Sequence, residues 1–159
     1  MIFDSRLEFA DAAALTLATG TNNLTNVIDT GTNALNATRD LGNGEQLYLV
    51  INVDTDITSG GTATLAFQLV SDSVAAIQTN GSQIVHSTSR VITVPASANA
   101  ATKTKAGSLV WVLEIPQGDD FKQYVGVQSV VGTAALLTGK VNAFLTLDAT
   151  GWRAYSDFN

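Results

Sequence analysis

Leu47, Leu49, Ile51 and Val53 alternate with Tyr48, Val50, Asn52 and Asp54. Successive side chains of an extended chain point to opposite faces, so this period of two predicts a strand with one face on a core. Residues 62–71 repeat it, with Ala63, Leu65, Phe67 and Leu69 set against Thr62, Thr64, Ala66 and Gln68. The stretch "TDITSGG" between the two runs reads as a flexible turn and predicts that they pair as a hairpin. Asn80-Gly81 divides residues 75–87 into two short runs. Asn-Gly suits the positive φ angles of a type I′ turn, which predicts a second hairpin.

Further strands are expected at 25–31, 90–95, 108–116, 123–132 and 140–149, each bounded by glycine, proline or a polar cluster. Residues 96–107, "ASANAATKTKAG", lack a periodic apolar face and read as an exposed loop. "FADAAALTLA" (9–18) fits either a helix or an extended arm. About eight turn-delimited strands in one domain, 1–159, predict an all-β, jelly-roll-like antiparallel β-sandwich. Residues 1–20 are expected to form an N-terminal arm and 150–159 a C-terminal tail.

Composition narrows the function classes. Charged residues make up 14% of the 159, against ~25% in ordinary soluble domains. Fourteen acids and eight bases give a net charge of −6. Nucleic-acid binding needs clustered Lys and Arg, and here only Lys103 and Lys105 sit close together. No stretch approaches the ~18 apolar residues of a membrane-spanning helix. The acids Asp4, Glu8 and Asp11 near the start argue against an export signal. With no cysteine, disulfides and thiolate metal sites are excluded.

The candidate chemistry is thin. Gly42-Asn43-Gly44 could cradle a phosphate only if a helix followed, and a strand pattern follows instead. "ALLTGKV" lacks the first glycine and the final Ser or Thr of a P-loop, and reads as a turn before a strand. "DTDITSGG" (54–61) lacks the glycine and glutamate of a calcium loop and reads as a solvated turn. His86 is the only histidine. A Ser–His–Asp arrangement around it would assemble only in space, and no Gly-x-Ser-x-Gly elbow marks a nucleophile. No cofactor or metal is expected. Phe3, Leu7, Phe9, Trp152, Tyr155 and Phe158 place large apolar groups near both ends of the chain. They form the candidate interface, since tails so equipped dock either on their own sandwich or on a neighbour.

The order of motifs carries a resemblance. "MIFDSRLEFADAAALT", "NVIDTG", "RDLGNGEQLYLVINVDT", "IPQGDDFKQYVGVQSVVG" and "LTGKVNAFLTLDA" follow one another over most of the chain. In this the sequence resembles the capsid cement, or decoration, proteins of short-tailed bacteriophages, the type first described on a Bordetella phage. Segment 72–107 and the residues after Asp148 match least well. The resemblance implies a jelly-roll-like sandwich on the outside of the virion head that bridges neighbouring major capsid proteins. It implies no enzyme activity and no cofactor. The expected partners are the major capsid protein and further copies of the chain, a dimer first and a trimer second. Neither nucleic acid nor membrane is expected as a partner. The expected location is the outer capsid surface, after synthesis in the host bacterial cytoplasm. The alternative, suggested by Trp111 and Trp152, is a sandwich module for host-surface glycans.

Overall fold

A computed structural model describes residues 5–31, 41, 44, 46–97 and 102–149. Nine strands run along it: β1 (Glu8–Ala14), β2 (Gly20–Asp29), β3 (Tyr48–Ser59), β4 (Ala63–Asp72), β5 (Ile84–Thr88), β6 (Ile92–Val94), β7 (Leu109–Glu114), β8 (Tyr124–Gly132) and β9 (Leu136–Thr146). Short 3-10 turns at Ser5–Leu7 and Thr102–Thr104 complete the described elements. One sheet has the order β1-β9-β3-β7; the other runs β2-β8-β4-β5, with β6 also paired to β4. All these pairings are antiparallel.

With β5 and β6 taken as two halves of one broken strand, first pairs with last, second with second-last, and so inward. A four-strand-deep hairpin ribbon rolled up on itself gives this connectivity, which is that of a jelly roll. It overturns both expected hairpins. β3 and β4 do not pair but lie in opposite sheets, so the turn at 60–62 is a corner between the layers. Across Asn80-Gly81 only the second run becomes a strand, β5, and it pairs with β4. Gly81 adopts a positive φ, +94°, but Asn80 does not, so the expected type I′ turn does not form.

The core lies between the sheets. β3 turns Leu49, Ile51 and Val53 inward, β4 Leu65, Phe67 and Leu69, β8 Val125, Val127 and Val131, and β9 Val141, Ala143 and Leu145. The predicted faces of β3, β4 and β9 are therefore the observed ones, except that Leu147 lies beyond β9 and is exposed. Residues 9–18 form neither helix nor free arm. β1 is an edge strand on β9, and Phe9, Ala10 and Leu15 are buried in the core. An edge position tolerates the two register shifts that break this strand.

Two glycine-bearing stretches also differ from expectation. Gly139, expected in a turn, lies inside β9 with φ +129°, and an added Cβ would stand 3.0 Å from Ile57 Cα. Residues 54–59 continue β3 rather than forming a solvated turn. The expected loop at 96–107 is tied down at its end: Gly107 N–H donates to Val53 O, and Ala106 N–H to Asp56 Oδ1.

Candidate functional site

Ser71 closes the inward row of β4 after Leu65, Phe67 and Leu69. A hydroxyl in that row is taken out of water and needs partners. His86 supplies one. It occupies the extra position between Val85 and Ser87 where β5 bulges against β4. Ser71 Oγ and His86 Nε2 lie 2.7 Å apart, and His86 Nδ1 and Asp119 Oδ2 3.1 Å apart. An ionised carboxylate only accepts, so Nδ1 carries the proton and donates to Asp119. In the neutral ring Nε2 then accepts from the Ser71 hydroxyl. Ser71 Oγ in turn accepts from Lys122 N–H at 3.1 Å.

The order Ser–His–Asp is that of a hydrolytic triad, but Ser71 and the His86 ring lie in the core while the Asp119 side chain is 42% exposed at the surface. Ser71 is 0% exposed. The His86 side chain is 3% exposed, and Phe121 stacks on its ring at 4.0 Å between centroids. A nucleophile needs room for a carbonyl beside its oxygen and donors aimed where the oxyanion will form. Here Lys122 N–H, which reaches the site, is spent on Ser71 Oγ itself. An open depression beside β2, lined by Arg6, Glu8 and Thr25–Asp29, shares no residue with this cluster. What the arrangement does is tie β5 and the β7–β8 corner to the end of β4.

The aspartates near the 54–61 stretch and at the β7–β8 corner are engaged separately rather than converging on a cation site. Asp54 accepts from Thr55 Oγ1, Asp56 from Ala106 N–H, and Asp119 from His86. Among the described residues no group of three or more His, Asp or Glu side chains is placed to hold a metal ion.

A second polar cluster straps residues 73–83 over the outer face of the β2-β8-β4-β5 sheet. Gln128, 0% exposed although it faces outward, donates to Asn23 Oδ1 and Gln78 O. Asn23 Nδ2 donates to Ile77 O at 2.7 Å. Ile77 itself is buried over Gly126, where an added Cβ would come within 2.6 Å of its Cδ1. Asp72 anchors the start of the strap by accepting from Ser73 and Gln78 N–H. The Gln78 bond is the main cause of an Asp72 pKa below its ordinary 3.8; burial opposes the shift, and Ser73 and the Lys122 charge add to it.

Of the candidate interface residues, Leu7 packs half-buried against the core and Phe9 is fully buried within it. Both dock on their own sandwich, so Phe9 offers no ring to a neighbour. Phe3, Trp152, Tyr155 and Phe158 lie outside the described residues. The exposed large apolar side chains that sequence reasoning missed are Val74, Ile84, Val85, Val91, Val112, Leu137 and Leu147. Their signal was weak, since a valine in an alternating run does not say whether its face is covered.

No curated protein matches the chain. The model of the Bbp16 family matches residues 9–145, a span from the first strand to the end of the last. The chain belongs to the Bbp16 family.

Proposed function

We propose that the protein is a structural component of a phage virion that cements the outer capsid surface by bridging neighbouring major capsid proteins. The observation that carries the reading is the ordered run of motifs that resembles capsid cement proteins, most of which falls inside the Bbp16 match. The Bbp16 name fits a Bordetella-phage protein and supports the same assignment. A jelly roll with unpaired sheet edges suits the task. Each copy makes modest contacts with several shell subunits, and once one contact forms the next is intramolecular, so weak contacts add up to firm retention. The role needs no catalysis. The glycan alternative draws little support from Trp111, which packs against the core. The test is co-sedimentation with matching heads that lack the cement. Saturable binding that raises the heads' resistance to heat is expected; protein left in the supernatant would refute the role.

A further inference from the structure

Asparagine is thermolabile, because the main-chain nitrogen of the next residue can attack its side-chain amide. A fold protects it by a Cβ on that next residue, by a backbone fixed in a ladder, or by burial away from the base that must deprotonate the nitrogen. None of these protects Asn80. Its neighbour is Gly81, with φ +94° and open space where a Cβ would stand. Residues 79–83 belong to no strand; they link the strap at Gln78 to the start of β5. Asn80, Gly81 and Ser82 are all exposed. Their side-chain bonds are local. Asn80 Oδ1 accepts from Ser82 N–H at 3.1 Å, and Gly81 N–H donates to Gln83 Oε1 at 3.0 Å. The first of these sets a donor on the oxygen that gains negative charge when the amide carbon is attacked.

We propose that Asn80 is a site of spontaneous modification, where the folded chain converts asparagine to isoaspartate and aspartate through a cyclic imide. Solvent base takes the Gly81 N–H proton, and the nitrogen bonds to Asn80 Cγ. The Cγ–Nδ2 bond breaks, and Nδ2 takes a proton from water and leaves as ammonia. Water then opens the imide. Attack at the main-chain carbonyl carbon of residue 80 leaves isoaspartate; attack at Cγ leaves aspartate. Water and base are the only co-reactants. The product changes both charge and chain length. Residues 73–89 contain no Asp, Glu, Lys or Arg, so the new carboxylate is the only acid on a stretch that exposes Val74, Ile84 and Val85. Isoaspartate also adds a methylene to the main chain between two fixed points. One is Gln78, held by Asp72 and Gln128; the other is Ile84, paired with Ser71. The link into β5 lengthens while the core between the sheets keeps its side chains. The reaction runs one way, so the fraction converted records the age of a copy. The inference is independent of the cementing role.

The test is to hold the full wild-type chain in mildly alkaline buffer for weeks and map its peptides by mass spectrometry. An isoaspartyl methyltransferase serves as the probe for isoaspartate, and a free peptide of residues 76–85 as the reference. The expected result is conversion at Asn80 in the folded chain at a rate comparable with that of the peptide, with more isoaspartate than aspartate. A more acidic form should grow in step on ion exchange. Asn80→Gln should lose the product at that position, because the longer side chain closes its ring far more slowly. Circular dichroism melts confirm that the variant is folded; Asn80→Ser repeats the control if it is not. The same map reads the chain's other Asn-Gly, Asn43-Gly44. An Asn80 that stays intact while the free peptide converts overturns the proposal, and so does conversion confined to Asn43.

Discussion

Gly139 shows how much one residue can constrain. Its φ of +129° is open to glycine and strained for other residues, and the Ile57 backbone leaves no room for a methyl group. Gly139→Ala is expected to cost about 3 kcal/mol, from backbone strain and overpacking together, read as a lower midpoint in urea. Phe9→Ala should cost a similar ~3–5 kcal/mol, because it empties a fully buried site. An adhesive Phe9 would instead have left the melt unmoved. His86→Ala leaves the buried Ser71 hydroxyl proton without its acceptor and should cost about 2 kcal/mol. A fluorophosphonate probe should leave Ser71 unlabelled in the wild type, and labelling read by mass spectrometry would reopen the hydrolase reading. Asp72 has a folded pKa below its ordinary value, so its contribution is complete above pH 3.8 and is lost as pH falls through the folded value. Asp72→Asn should therefore be less stable than wild type near neutrality, with the gap closing in acid melts.

At the scale of elements, the periodic pattern made strands and their faces legible but not their partners. Alternation in β3, β4 and β9 records which side chains meet the core, a local property. Pairing depends on which strand arrives beside which, and the β3–β4 corner is a case where a glycine-rich turn serves a change of layer as readily as a hairpin. At Asn80-Gly81 a change of direction was legible, but neither the type I′ geometry nor the hairpin was. Residues 73–79 spend their backbone groups on Asp72, Asn23 and Gln128 instead of on a strand. The Ser71 cluster was only half readable. His86 stood out as the lone histidine, whereas its partners lie 15 and 33 positions away and meet it only through the roll. An inward serine at the end of an apolar row was the available clue. Hydrogen exchange should grade the elements: slowest in the central strands β3, β4, β8 and β9, fastest in β5 and β6, which are the shortest strands and have one neighbour each. Equal protection of β5 and β8 in dilute solution would contradict that ranking.

For the whole molecule, the first strand must find the last. Glu8 pairs with Phe144, so the sheet closes only after nearly the entire chain is in place. Contacts this distant along the chain make folding slow, on the order of milliseconds to seconds. Deleting residues 1–14 removes a core strand rather than a dispensable arm. It should lower the melting temperature sharply as well as weaken any assembly, in contrast to what an arm would do.

The same closure has a practical corollary. The chain enters β1 and leaves β9 side by side at one pole of the roll. A short peptide joining those two points should permit new ends to be cut elsewhere, at the exposed Asn80-Gly81 turn for instance. Cargo appended before β1 and cargo appended after β9 would emerge at that shared pole, far enough from neither to be presented independently.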